Sequence, residues 1–156
     1  MSDWARVEVR VRPGQPDAAG VAARRDLALA GLEASSVRVH QVYHLLGLAD
    51  PAAARALFID PVVEEGALGE PLRGSGVAVS VCKRPGVMDP AEASVLRALR
   101  ALGERPRRAV TGRTYWIETR AGARDVVAAV GRSLANEVIE EIVEGPAPPP
   151  RDLPKG

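Results

Sequence analysis

Few side chains in this sequence are of the types that usually carry chemistry. His40 and His44 are the only histidines, and Cys82 is the only cysteine. On a strand the two histidines share a face but stand roughly 13 Å apart. That is too far for one metal ion, whose imidazole ligands sit at about 2 Å. They would chelate only from a helix, so the spacing assigns them a surface or interface role. Cys82 alternates with Val81 on a strand-like run and has no histidine near it in sequence. Nothing local would lower its pKa, and it reads as small filler rather than a nucleophile.

Consecutive acids occur at Glu64-Glu65 and Glu140-Glu141. Neighbours on a strand point to opposite faces, so neither pair is a catalytic carboxylate couple; edge-setting or salt bridging is expected instead. Tyr115 and Trp116 face apart for the same reason and form no stacking platform. With Tyr43 they read as buried or interface aromatics. Gly74-Ser75-Gly76 precedes a strand, whereas a dinucleotide-binding turn follows one. There is no P-loop and no Gly-x-Ser-x-Gly elbow. The residues therefore predict no catalytic group, no metal site and no cofactor.

Composition narrows the classes further. The 156 residues carry 21 basic and 20 acidic side chains, well mixed, for a net charge of +1. Such a balance sets up no field to recruit nucleic acid or anionic membrane. A lone cysteine excludes a disulfide framework within the chain. No leader-like segment opens the sequence, and no apolar run approaches a membrane span. The expectation is a soluble, cytoplasmic protein with neither nucleic acid nor membrane as a partner.

The elements that must position these residues can be read from periodicity. Val7, Val9 and Val11 alternate with Arg6, Glu8 and Arg10, which predicts a half-buried strand over 4–12. Asp17 caps a helix over 18–30 that Gly31 stops. A long strand over 36–46 follows, then a short helix from Asp50-Pro51 to Phe58, and Val62-Val63 opens a third strand. The order then repeats. A strand covers 76–83. Asp89-Pro90-Ala91-Glu92 caps a helix whose stripe is Ala91, Val95, Ala98, Leu99 and Leu102. A long strand covers 109–119, a helix 122–135, and a last strand 138–143. The sheet face away from the helices is charged in the first half (Arg6, Glu8, Arg10) and small in the second (Ala78, Ser80, Cys82).

The repetition extends to the residues themselves. Arg12-Pro13-Gly14 and Asp17 return 72 positions later as Arg84-Pro85-Gly86 and Asp89, and Tyr43 returns as Tyr115. Asp60 to Glu65 returns as Asn136 to Glu141 at a shift of 76, so the first copy has lost four residues after Tyr43. A period this long is a small α/β unit, not a solenoid repeat. The expected fold class is α/β (α+β): two β-α-β-α-β repeats forming a pseudo-twofold body, with helices on one face of antiparallel-type sheets. The long second strands are expected to bring the copies together, because a strand edge is a pairing surface. The boundaries are 1–65 for the first repeat, 66–75 for a linker, 76–145 for the second repeat, and 146–156 for a Pro-rich flexible tail.

These phrases resemble the small, PurS-type subunit of phosphoribosylformylglycinamidine synthase, from de novo purine biosynthesis. The second copy carries Arg84-Pro85-Gly86-Val87-Met88-Asp89-Pro90, then Thr111-Gly112-Arg113-Thr114-Tyr115, then Ser133-Leu134-Ala135-Asn136-Glu137-Val138-Ile139-Glu140-Glu141. The first copy matches over 7–17, 37–43 and 60–65, but His40-Gln41 stands where the pattern has a glycine and a basic residue. The resemblance implies a subunit without catalytic residues of its own. It would bridge the ATP-dependent synthetase and the glutaminase in an ATP- and glutamine-dependent C–N ligase complex. It marks Arg12, Pro13, Gly14, His40, Tyr43, Arg84, Pro85, Gly86, Asp89, Gly112, Arg113, Tyr115, Trp116 and Asn136 as interface candidates. A competing expectation is a ferredoxin-like regulatory module with a small molecule at the junction of the copies. A third, an RNA-binding pseudo-dimer, is disfavoured by near-neutral charge and sparse aromatics.

Overall fold

A computed structural model describes residues 3–151. Among them are β1 Trp4–Val11, α1 Ala18–Leu29, β2 Ser36–Leu46, α2 Pro51–Arg55 with a following 3-10 turn Ala56–Phe58, and β3 Glu64–Leu68. The second half supplies β4 Val77–Lys83, α3 Glu92–Ala101, β5 Arg108–Glu118, α4 Ala123–Ser133 and β6 Glu140–Glu144. All six strands join one open antiparallel sheet in the order β3-β1-β2-β5-β4-β6. The long strands do meet. β2 and β5 pair over eleven residues, from Ser36 opposite Glu118 to Leu46 opposite Arg108, with Gln41 opposite Arg113 at the middle.

In β1, β2, β4 and β5 the odd-numbered residues face the helices, as strand alternation requires. Two apolar cores form there. In one, Ala23 and Leu27 of α1 meet Val126, Ala129 and Val130 of α4 above Val37, Val39, Val79, Val81, Tyr115 and Ile117. In the other, Ala54 of α2 and Leu99 of α3 cover Val7, Val9, Leu45 and Ala109. Each core therefore takes a helix from each half. Arg132 Nη2 reinforces the first by donating to the Ala30 carbonyl at 3.0 Å. Gly20 lets α1 approach β2 closely, since a Cβ there would collide with the Val37 carbonyl oxygen.

Equivalent turns use equivalent bonds. The Asp17 carboxylate caps α1 at Gly20 N–H (3.1 Å) and accepts Val39 N–H (3.0 Å). The Asp89 carboxylate accepts Ala91 N–H (2.9 Å) and Thr111 N–H (2.6 Å). Arg12 and Arg84 donate through Nε to the carbonyls of Pro61 (3.1 Å) and Glu137 (2.8 Å). Gly14 and Gly86 hold φ of +85° and +79° in the turns between, where a side chain would be strained.

Several expected boundaries move, each for a visible reason. β3 and β6 begin at Glu64 and Glu140, not at the preceding valines. Asp60 and Asn136 form Asx turns first, their side-chain oxygens accepting Val62 N–H and Val138 N–H at 3.1 Å. β3 then runs to Leu68, into the stretch expected to be linker, because β1 offers it an edge. Asp89 does not cap α3 directly: its Oδ1 accepts the Ala91 N–H ahead of the helix, which starts at Glu92. Leu102 lies past the helix end and is exposed. The second helix of the first half is the shorter one, as the four missing residues require.

Because each core needs both halves, residues 1–75 alone should yield no folded monomer. Circular dichroism with analytical ultracentrifugation checks this on 1–75 and 76–156 separately. Each should be unfolded or self-associated, and mixing them should restore a one-to-one complex. A folded half-size monomer would contradict the shared cores.

Candidate functional site

The sheet face turned away from the helices holds the less expected structure. Its polar residues are not open to water: Arg6, Glu8, His40, His44, Ser80 and Thr114 are all buried. Two chain segments cover them. Over the first half lies the connection after β3. Leu72 N–H donates to Glu8 Oε2 at 3.1 Å, Arg10 Nη1 to the Arg73 carbonyl at 2.8 Å, and Gly74 lies so close to Trp116 that a Cβ would meet the ring. Over the second half lies the stretch after β6. Ser80 Oγ donates to the Gly145 carbonyl at 2.7 Å, Ala147 is buried, and Arg151 holds Glu141 at 2.5 and 2.7 Å. Residues 146–151 of the expected flexible tail thus lie against the sheet, and 152–156 fall outside the described residues.

This corrects the reading of the histidines as surface groups. His40 Nδ1 bonds Glu8 Oε2 at 2.6 Å, with both side chains 2 % exposed. Burial alone would raise the Glu8 carboxyl, but the His40 bond and the Arg6 charge outweigh it and hold its pKa below the usual value. The carboxylate is therefore the acceptor and Nδ1 the donor. Arg6 Nη1 stands 2.7 Å from Glu8 Oε1 but outside hydrogen-bonding geometry, so the contact is an ion pair only. His44 is buried with Nε2 lacking any partner. Burial and then the Arg6 charge push its pKa down to about 4, keeping it neutral near pH 7.

The two halves differ most at this face. Cys82 stands where the first half has Arg10, Gly112 where it has His40, and His44 where the second has Trp116. Smaller side chains leave a cavity of about 280 Å³ in the second half, floored by Cys82, Gly112, Val110 and His44 and roofed by Pro148 to Pro150. A shallower hollow around Arg6 and Gly69 adjoins it at Trp4, His44 and Pro149. Burial, then Glu141, raises the Cys82 pKa to about 11, so the thiol stays protonated.

On the helix side, Arg113 is tied down rather than free. It donates to Glu140 Oε2 (2.9 Å), the Leu134 carbonyl (2.6 Å) and Tyr115 Oη (2.7 Å). Lys83 Nζ reaches the same carboxylate at 3.2 Å. Desolvation would raise the Glu140 pKa, but bonds from Arg113 and the Asn136 N–H hold it at about 2. Desolvation would likewise lower that of Arg113, and the Glu140 bond reverses the direction. Three of the four consecutive acids form salt bridges, Glu65 with Arg10 at 2.8 Å, Glu140 with Arg113, and Glu141 with Arg151, the last two on opposite faces.

The interface candidates therefore divide. Pro13, Gly14, Arg84, Pro85, Gly86 and Asn136 are exposed, and Arg12 is half-buried. His40, Asp89, Gly112 and Tyr115 are buried within the chain. Tyr43 stacks on Phe58 at 4.4 Å, and Trp116 lies half-buried beside His40. Sequence reasoning missed the burial of Arg6, Glu8 and His44, whose strand alternation looks like a solvated face, and the role of Arg151, which fell in the expected tail. Only the paired placement of residues 69–76 and 145–151 after equivalent edge strands points to covers.

No group of three or more His, Cys, Asp or Glu placed to hold a metal ion occurs among the described residues. None of their helices is long and apolar enough to cross a membrane. No protein-family model matches the chain, and no curated protein matches it significantly.

Two measurements test these ties. Because His44 stays neutral in the fold down to about pH 4, the unfolded chain takes up its proton first as pH falls below about 6.5. Stability should drop by roughly 3 kcal/mol between pH 6.5 and 4 on this account. Urea unfolding of His44→Leu should lack that part of the slope; equal slopes would refute it. Glu140 acts in its own window: its stabilisation is full above about pH 4.5 and lost as pH falls toward 2. At pH 7, Glu140→Gln should cost about 2 kcal/mol, leaving Arg113 uncompensated. Glu64→Gln, with no ion pair to break, should cost below about 0.5 kcal/mol.

Proposed function

We propose that this chain is a non-catalytic assembly subunit of formylglycinamidine ribonucleotide synthase. Two β-α-β-α-β copies make one pseudo-twofold body, which bridges the ATP-dependent synthetase and the glutaminase in the cytoplasm. The observation that carries the reading is the matched set of turn bonds. The recurring Arg-Pro-Gly turns, the Asp17 and Asp89 ties, and the Asp60 and Asn136 turns occupy equivalent places in a strand order that reads third, first, second from either edge. The sequence phrases that resemble the PurS-type subunit are thus its framework, and they hold two Arg-Pro-Gly turns, each with its Pro-Gly exposed, on one chain. A single chain with two similar but unequal surfaces suits a bridge between two unlike partners.

The reading is tested by co-purifying the chain with the synthetase and glutaminase subunits from the same genome. A ternary complex should form only when the chain is present. Removing it should abolish glutamine-dependent amidine formation while ammonia-dependent turnover persists, because the synthetase holds that chemistry. Unchanged glutamine-dependent activity with no ternary complex would overturn the proposal.

A further inference from the structure

We propose that the cavity between the sheet and residues 148–150 binds a small organic monoanion, a carboxylate on a flat apolar body. Its size suits a small molecule. Trp4, Val110, Met88 and the three prolines give it apolar walls, while Cys82 and Gly112 keep its floor low.

One group fixes the polar end of the ligand. At the inner end His44 lines the cavity, but its Nε2 is closed off from it, so the inner wall offers no polar atom there. At the mouth, Arg84 has no carboxylate partner among the described residues; its Nε donates only to the Glu137 carbonyl. The first half shows what that position otherwise does, since Arg12 Nη1 lies 3.7 Å from Glu65. In the second half Arg151 has taken the equivalent carboxylate, Glu141.

The pairing of charges then selects the ligand. Of the charged groups lining the cavity, Arg108 pairs with Glu92 at 2.7 Å and Glu141 with Arg151, while Lys83 is held by Glu140, a carboxylate that Arg113 shares. Arg84 is the lining cation with no carboxylate near it among the described residues, and one guanidinium suits one carboxylate. The first half offers no such site, because Arg10 and His40 occupy the corresponding volume. This inference is independent of the assembly role, because it concerns the isolated chain.

The test uses 1-naphthoate as the probe on the full chain, with naphthalene-1-methanol as its uncharged counterpart and inorganic phosphate as a bare anion. Calorimetry gives affinity, and the rate of Cys82 alkylation by N-ethylmaleimide reports occupancy of the cavity. Naphthoate should bind saturably and slow alkylation; the alcohol should bind about tenfold more weakly, and phosphate should give no protection. Arg84→Ala should weaken naphthoate about tenfold, to the level of the alcohol. Cys82→Phe, filling the floor, should abolish binding by calorimetry. If that variant does not fold, the Arg84 substitution and the alcohol decide the matter alone. No saturable protection by naphthoate, equal affinity for the alcohol, or binding untouched by Arg84→Ala would each overturn the proposal.

Discussion

Eleven consecutive residue pairs join β2 to β5, and the placement of everything else follows from that ladder. It is antiparallel and centred on Gln41 opposite Arg113, residues that occupy the same position in the two halves. A one-residue slip would turn the apolar side chains of one long strand to the wrong face. With the register set, Val39 lies opposite Tyr115 and Leu45 opposite Ala109, so each apolar core straddles the join. The helices follow: α1 crosses to meet α4, and α2 meets α3. Neither pair would have a common floor without the ladder.

A common framework leaves side chains free to differ where they do not hold it together. The Asp17 and Asp89 ties persist, because each satisfies a backbone N–H of a central strand and a turn at once. The face away from the helices has diverged instead. In the first half, ionised Glu8 gathers His40, Arg6 and the Leu72 N–H into a closed cluster. In the second, Ser80 stands in the place of Glu8 and bonds Thr114 at 2.7 Å instead, while Gly112 in the place of His40 leaves empty volume beside it. One half spends its interior on charge compensation; the other leaves room.

The sequence carried the elements well where period and punctuation agree. β1, β2, β4 and β5 fall within a residue or two of their expected spans, as do α1 and α4, because alternating valines and capping residues are local signals. β3 was less legible. Gly66-Ala67-Leu68 has weak strand propensity, and only the waiting edge of β1 makes it a strand. The buried histidines were illegible for a related reason. A charged, alternating strand is read as half solvated, and nothing in residues 36–46 announces that a segment 30 residues later will lie across it. Arg113 was legible as a position but not in its role, since Glu140 comes to it through β6.

The exchange of helices also bears on how the chain is made. The apolar stripe of α1, with Ala23 and Leu27, finds its cover in α4, about a hundred residues later in the sequence. At ribosomal rates of about 5–20 residues per second, that interval is roughly 5–20 s. For that time the first half must wait with Leu27 and the edge of β2 uncovered. Until α4 emerges, that surface is open to wrong partners, which makes the join between the halves a step in synthesis as well as a feature of the finished fold.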